Sequence, residues 1–439
     1  MTAPIGAWRS ALMKPRHSIE TRLGAAPPRR FSSACKQALE VAVLVCGLAS
    51  GDSDAQSLLL ADTEPGAELA YATALDGPRL AAGAPGDFSR SGVVHAYHCV
   101  GQSCTAPVAL IPIDLAPGDL FGAALSLSAD TLAIGAPGQG AGAVYVYVHD
   151  GSGWLLQQKL GATPTLPDER FGAAVAAQVD RLVVGAPAAD NGAGALYVFE
   201  RSNGTWAQTD RLQADDASPG DALGSGVALS GSTLLGGAPQ WAPAVAGSYG
   251  RGAVYVFENI AADWTQQARL QPLTAANGDL FGSAVSLSGD RALVGAPLAD
   301  AGAGGAFVFT RSAQLWTQQA HLAAPGGLAG DRFGWSVSLD GDQLLVGAPF
   351  ALAGCGGVTR FVFNGASWLA AAGPGLAQTT PGGLVGWSVG AQTQRWLVGV
   401  PGYSGAPSHV GAAYWRDSAD AIFIDGYDDV GAAACAAAD

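Results

Sequence analysis

Five acidic residues recur at nearly regular intervals along the chain and are the first candidates for chemistry. Each lies two residues before an aromatic or leucine position that itself repeats: Asp119, Glu169, Asp221, Asp279 and Asp331. A ring of such carboxylates could bind cations or basic ligands. The alternative is structural, because an acidic side chain beside a turn accepts hydrogen bonds from backbone N–H groups. We expect the structural role for most of this set.

Other patterns for catalysis or metal binding are weak. Residues 386–390 match the G-x-S-x-G pattern of a serine nucleophile, but that motif requires a strand-to-helix turn and these residues belong to a predicted strand. Two histidines and two cysteines near residue 100 could be zinc ligands, yet His95 and His98 fall on opposite faces of a strand. Cys99 and Cys104 flank a hairpin-sized turn, which favours a local disulfide. No catalytic centre and no metal site is predicted.

An internal repeat in the sequence predicts the strands and turns that position the acidic residues. The tripeptide Gly-Ala-Pro begins at Gly83 and recurs at intervals of 52, 50, 52, 58, 52 and 52 residues, ending with the variant copy Gly399-Val400-Pro401. A second landmark lies fourteen residues before each of these glycines. The landmark pairs are Leu69-Ala70, Phe121-Gly122, Phe171-Gly172, Leu223-Gly224, Phe281-Gly282, Phe333-Gly334 and Val385-Gly386.

Alternation with period 2 inside each unit predicts half-buried strands, four to a unit. Four strands in a unit of this length are typical of a propeller blade. Seven units therefore predict an all-β fold, a seven-bladed β-propeller of four-stranded blades. Leu58 has the spacing of an outer-strand leucine, so residues 56–60 are predicted to complete the seventh blade by pairing with residues 411–416, which would close the ring. A repeated tryptophan is interpreted as packing between blades and not as a carbohydrate-stacking array.

These landmarks resemble the FG-GAP repeat, the blade unit of the integrin α-chain head and of many bacterial exported proteins. The resemblance covers about residues 56–416 and implies a propeller with a role in adhesion or ligand recognition. Calcium-binding members of the family carry a D-x-D-x-D-G loop between the first two strands of a blade. The corresponding turns here hold at most two carboxylates each, too few for six to eight oxygen ligands. We therefore predict no calcium and no other cofactor.

The two ends of the chain differ from the repeats. Residues 1–55 combine a basic stretch, a short apolar run and a small-x-small site, which predicts a signal or targeting segment; a disordered extension is the alternative. The propeller is assigned to residues 56–417 and a tail to residues 418–439. In that tail, residues 422–429 resemble an ending of other exported bacterial proteins, and both an extra strand and a retention tag remain open. We expect a secreted or cell-surface protein of bacterial type.

The composition of the chain limits the classes of partner that the protein can bind. The formal net charge is −14, and removal of residues 1–55 leaves 15 basic and 32 acidic side chains, a net charge of −17. Such a surface repels nucleic acid. No apolar stretch is long enough to span a bilayer. We expect a monomer, and whether Cys355 pairs with Cys435 is left open.

The fourth blade offers the candidate binding site. Six extra residues follow its Gly-Ala-Pro, within residues 240–250, and they bring Trp241 and Tyr249, which we expect to be exposed; a tolerated surface insertion is equally consistent with the pattern. Two functions follow. The favoured one is a non-catalytic binding, adhesion or scaffolding module with a protein or glycan ligand. The alternative is an extracellular enzyme that degrades a polysaccharide or other polymer at a loop-built acidic site, which clustered carboxylates with perturbed pKa values would favour.

Overall fold

The computed structural model describes residues 57–59, 66–101, 103–164, 168–245, 247–371, 382–402 and 411–417. These residues form strands β1–β29, numbered in chain order, which are arranged in seven antiparallel sheets. Each sheet is one blade, so the predicted seven-bladed propeller is confirmed. The predicted signal segment and the predicted tail lie outside the described residues.

The strands are assigned to blades as follows. Strand β1 (Ser57–Leu59) precedes blade 1, which contains β2 (Ala72–Asp76), β3 (Arg79–Ala84), β4 (Val93–Val100), β5 (Ser103–Cys104) and β6 (Val108–Leu110). Blade 2 contains β7 (Ala124–Ser128), β8 (Thr131–Ala136), β9 (Ala143–His149) and β10 (Trp154–Leu160). Blade 3 contains β11 (Ala174–Gln178), β12 (Arg181–Ala186), β13 (Ala195–Ser202) and β14 (Thr205–Leu212). Blade 4 contains β15 (Gly226–Ser230), β16 (Thr233–Ala238), β17 (Ala253–Ile260) and β18 (Asp263–Leu270).

Blade 5 contains β19 (Ala284–Ser288), β20 (Arg291–Ala296), β21 (Gly305–Ser312) and β22 (Leu315–Leu322). Blade 6 contains β23 (Ser336–Asp340), β24 (Gln343–Ala348), β25 (Gly357–Phe363) and β26 (Trp368–Ala371). Blade 7 contains β27 (Val389–Gln392), β28 (Arg395–Val400) and β29 (Ala412–Asp417). Short helical turns lie between the second and third strands of four blades, at Asp87–Arg90, Ala189–Gly192, Asp300–Gly302 and Ala351–Gly354.

The first strand of each blade lies at the axis of the ring. Strands within each sheet follow in the order first, second, third and fourth, and the first strands of neighbouring blades contact one another all the way round. Because the strands are antiparallel, the chain enters every first strand from the same face. We call this face the loop face; it carries the connections between blades and the loops between second and third strands. The opposite face, with the two-residue turns, is the hairpin face.

The repeated glycines are explained by contacts between blades. The first glycine of each Gly-Ala-Pro faces the landmark pair of the next blade, where an added Cβ would lie 2.0–2.2 Å from a backbone carbonyl oxygen. In the first contact Gly83 faces Gly122, and in the last Gly399 faces Ala70. Any side chain at these positions would force adjacent blades apart, which is why both motifs recur in every unit with fixed spacing.

A ring of seven side-chain hydrogen bonds joins the blades near the hairpin face. The last residue of each first strand accepts a bond from the backbone N–H of the next blade's turn. The acceptors are Asp76, Ser128, Gln178, Ser230, Ser288, Asp340 and Gln392. The seventh bond runs from Gly77 N–H to Gln392 Oε1 at 2.7 Å and connects the last blade to the first.

Apolar packing between the sheets supplies the core. The landmark Phe171 is fully buried, with Tyr197 and Phe199 of its own blade at ring-centroid distances of 5.4 and 5.9 Å. The repeated tryptophans lie at the outer strands, and Trp206 Nε1 donates to Gln157 of the preceding blade at 2.9 Å. Arg201 lies over the ring of Trp206. These contacts are those expected of packing between blades.

The two ends of the propeller meet in blade 7. Strand β1 pairs antiparallel with β29, with Leu58 opposite Tyr414, and Leu69 forms a parallel bridge to Gly411. Residues 56 and 60, the limits of the predicted closing strand, lie outside the described residues. Blade 1 differs from the simple pattern because its outer strand is divided into β5 and β6, both paired with β4.

Candidate binding site on the loop face

A tight turn carries each landmark pair into its first strand. The residue before the landmark has a positive φ in every blade, and its carbonyl oxygen accepts the N–H of the residue three positions later. In blade 6 this bond joins Trp335 N–H to the Arg332 oxygen at 3.2 Å, and in blade 1 it joins Tyr71 N–H to the Glu68 oxygen at 3.0 Å. The last residue of each turn therefore lies at the loop-face mouth of the axial channel.

The seven turns differ in that last residue. Four blades have a small side chain there: Ala123, Ala173, Ser225 and Ser283. The other three have an aromatic side chain: Trp335 in blade 6, Trp387 in blade 7 and Tyr71 in blade 1. Because the ring closes, these three blades are consecutive, so the aromatic residues are confined to one side of the mouth.

The three aromatic side chains form a continuous cluster with Phe350, which follows the Gly-Ala-Pro of blade 6. Ring centroids are 4.8 Å apart for Trp335 and Trp387, 5.5 Å for Tyr71 and Trp387, and 5.4 Å for Trp335 and Phe350. All four side chains are half-buried. We call Tyr71, Trp335, Phe350 and Trp387 the aromatic arc.

A cation lies at one end of the arc. The Arg332 guanidinium carbon is 4.5 Å from the centroid of the Phe350 ring and 5.8 Å from that of Trp335, which is cation–π geometry. Burial lowers the pKa of Arg332, and the side chain has no carboxylate or other acceptor within hydrogen-bond distance among the described residues. At the other end, Glu68 occupies the same turn position in blade 1, where burial raises its pKa and the charge of Arg90 opposes that shift.

The predicted acidic positions lie just before these turns, and four of the five carboxylates accept a backbone N–H. Four of the carboxylates accept the N–H of the residue three positions earlier at 2.7–2.8 Å: Asp119, Asp221, Asp279 and Asp331. Glu169 is buried and lies 3.5 Å from the hydroxyl of Tyr197. The geometry of these four backbone contacts is that of turn caps, and the role of the acidic set as a whole stays a prediction.

The prediction that Trp241 is exposed is wrong. Its side chain is only 7% exposed and packs in the core between blades 3 and 4, its Nε1 donates to Asp216 at 3.2 Å, and Arg269 lies 4.4 Å from its ring. The insertion folds back over the blade because a large apolar ring gains more from burial than from exposure. Tyr249 is 60% exposed, and its role in binding stays a prediction.

A group of titratable residues surrounds Trp241. Arg269 forms an ion pair with Asp216, and the Tyr255 hydroxyl donates to the same carboxylate at 2.6 Å. Burial works against ionisation of Asp216, but the hydrogen bonds and the charge of Arg269 lower its pKa. Burial raises the pKa of Asp221 to about 6, helped by the nearby charge of Asp216. Clustered carboxylates with perturbed pKa values are the feature that would favour the enzyme alternative.

Other candidates from the sequence have structural contacts. Cys99 and Cys104 are joined in a disulfide. Cys355 is buried and disulfide-bonded, whereas Cys435 lies outside the described residues. Ser388 of the G-x-S-x-G pattern donates to the Ala70 carbonyl at 2.8 Å, directly before strand β27, so it is not in a strand-to-helix turn.

The acidic turns on the hairpin face pair with arginine. Arg79 contacts Asp130 of the next blade at 2.9 Å, and Arg291 forms an ion pair with Asp342 in the same way. No group of three or more His, Cys, Asp or Glu residues suited to a metal ion occurs in the part of the chain that the structure describes. The absence of calcium remains a prediction.

A closed ring of seven antiparallel sheets, six of four strands and one whose outer strand is divided in two, defines a β-propeller. The family model described as FG-GAP repeat matches residues 106–147, 154–199, 206–257, 264–309 and 316–358, just over half of the chain. The chain therefore belongs to the FG-GAP repeat family, as the landmarks indicated. Each matched segment runs from the outer strand of one blade into the third strand of the next. No curated protein matched the chain.

In the described ranges, no helix is long and apolar enough to cross a membrane.

Proposed function

We propose that this protein is an exported, non-catalytic binding module that recognises a protein partner through the aromatic arc. One observation carries the proposal: aromatic side chains occupy the last turn position in three consecutive blades, and Ala or Ser occupies it in the other four. Packing of the ring requires no aromatic residue there, since four blades do without one. The arc is thus a local departure from the repeat, and loops are where binding residues concentrate.

The composition of the arc supports a protein partner. Trp, Tyr and Arg are the residues enriched at the energetic centres of protein interfaces, where they bury large rings and keep a polar group for hydrogen bonding. The arc combines two Trp, one Tyr and one Phe with Arg332. Half-buried rings lose little side-chain entropy on binding because their neighbours already restrict them.

Export is part of the proposal. The pattern of residues 1–55 favours it, and so does the Cys99–Cys104 disulfide, because disulfides persist mainly in oxidising compartments. Mass spectrometry of the protein from cells and from culture medium tests this part. We expect the mature N-terminus at residue 56, and a cytoplasmic protein that starts at Met1 or Met13 would contradict it.

The experiment for binding compares the full-length protein with a Trp335→Ala/Trp387→Ala variant. Each is immobilised and exposed to culture medium, and bound proteins are quantified by mass spectrometry after both variants pass a circular-dichroism check of fold. We expect proteins enriched by the wild type to be at background with the variant. Equal enrichment by both would contradict recognition by the arc.

The enzyme alternative rests on Asp216 and Asp221. Their carboxylates already hold Tyr255, Trp241, Arg269 and a backbone N–H, which supports a role in anchoring the blade 4 loops. A polysaccharide hydrolysis screen distinguishes the two. Activity that is lost in Asp221→Asn and kept in the arc variant would favour the enzyme.

A further inference from the structure

We infer that the partner presents a carboxylate to Arg332 and places an apolar group against the aromatic arc, so that the ligand class is an acidic peptide segment. This inference rests on the proposed function of the arc. The carboxylate can belong to an Asp or Glu side chain or to a chain terminus, because both offer the same two oxygens to a guanidinium.

The surroundings of Arg332 suit it to binding an anion. Most arginines of the described chain hold a carboxylate or a carbonyl, as Arg79, Arg201 and Arg311 do. Arg332 lies instead against the rings of Phe350 and Trp335, and burial lowers its pKa. A half-buried guanidinium that packs against aromatic rings and has no acceptor among the described residues keeps its N–H donors for a bidentate acceptor.

The charges at the two ends of the arc favour a peptide over a glycan. Arg332 in blade 6 and Glu68 in blade 1 occupy the same turn position, and Leu384 occupies it in blade 7, which lies between them. A peptide can carry an acidic and a basic group a few residues apart, whereas most glycans have no basic group.

Blade 3 provides a matched control. Arg170 precedes the landmark of blade 3 as Arg332 precedes that of blade 6, with a φ of 59° against 57°. Its turn ends in Ala173 and not in an aromatic residue. Replacement of Arg170 therefore removes the same charge from the same kind of turn, away from the arc.

The test uses an array of synthetic peptides in matched versions. Each acidic peptide is paired with its Asn or Gln counterpart, and each with a free C-terminus is paired with its amide. The full-length wild type, Arg332→Gln, Arg332→Lys, Arg170→Gln and the Trp335→Ala/Trp387→Ala variant are titrated on the peptides that bind. A set of neutral and acidic oligosaccharides is tested in parallel.

We expect the amide counterpart of a bound peptide to lose about tenfold or more in affinity, as for a charged hydrogen bond. Arg332→Gln should cause the same loss with the acidic peptide and no further loss with its amide counterpart, while Arg170→Gln should match the wild type and Arg332→Lys should fall between. If only the Asn or Gln counterpart binds more weakly, the carboxylate is a side chain. If only the C-terminal amide binds more weakly, the carboxylate is the chain terminus.

The outcomes separate the inference from the proposed function. Suppose that the wild type and Arg332→Gln bind an acidic peptide and its amide counterpart with equal affinity, and that the Trp335→Ala/Trp387→Ala variant binds neither. The carboxylate inference is then wrong, and the arc remains the binding site. If the Trp variant binds the peptides as well as the wild type does, both fail. If no peptide binds, the peptide inference is wrong, and the capture experiment with the Trp variant decides whether the arc is the binding site. Binding of oligosaccharides alone overturns the peptide assignment.

Discussion

Replacement of Gly185 by Ala tests how the blades are held together. The backbone at Gly185 does not have a positive φ, so Ala is conformationally acceptable there. Its Cβ would nevertheless lie 2.1 Å from the Gly224 oxygen and 2.8 Å from the carbonyl carbon of the next blade. Favourable contact between such atoms needs about 3.5 Å. Blades 3 and 4 must therefore separate by about 1.4 Å, since no side chain can rotate away, and we expect a loss of about 3 kcal/mol.

Urea unfolding of the full-length protein measures this loss, with Gly161→Ala as the control. Gly161 directly follows an outer strand, its φ is not positive, and an added Cβ meets nothing within 4 Å. That substitution should change the free energy of unfolding by less than about 1 kcal/mol, in the stabilising direction, because Ala restricts the unfolded chain. Equal stability of the two variants would refute the backbone contact as the reason for the repeated glycine.

Three further predictions address turns, closure and charge. Val179 has a φ of 51° where four blades have Gly, so Val179→Gly should raise the midpoint of thermal unfolding, by about 0.5–1 kcal/mol in stability, in differential scanning calorimetry; a lower midpoint would show an unstrained turn. Gln392→Ala and Gln178→Ala should each cost about 1 kcal/mol in urea unfolding, because they make equivalent bonds between blades; a cost at Gln178 alone would indicate an open ring. Burial raises the pKa of Asp221 to about 6 from 3.8, so its protonated form favours the folded state: its contribution is full below about pH 4 and is lost as the pH rises through 6, on the order of 3 kcal/mol. Asp221→Asn should therefore stabilise the protein at pH 7 and not at pH 4, and equal effects at both pH values would contradict the shift.

Much of the fold is predictable because single residues determine the contacts between neighbouring blades. The glycines at positions such as Gly185 and Gly347 face carbonyl oxygens of the next blade, so they recur at a spacing that can be counted. The burial of Trp241 could not be predicted in this way. It depends on how the insertion folds back onto Arg269 and Asp216, and the repeat has no counterpart for that insertion.

The aromatic arc was missed for a different reason. Tyr71 and Trp387 are near opposite ends of the repeat region, and they become neighbours only when the last blade meets the first. The signal is nevertheless present in the sequence: the position two residues after the first landmark residue is small in four units and aromatic in three. In a closed ring the last blade is next to the first, so this pattern places the three aromatic residues side by side.

Site-specific photo-crosslinking tests the central claim, recognition by the arc, most directly. A photoreactive phenylalanine analogue is placed at Tyr71 in one variant and at Ala173 in another, two equivalent turn positions on different sides of the same mouth. With the partner present, the account predicts a crosslinked product from position 71 and none from position 173. Equal crosslinking at both positions, or crosslinking at 173 alone, would contradict it.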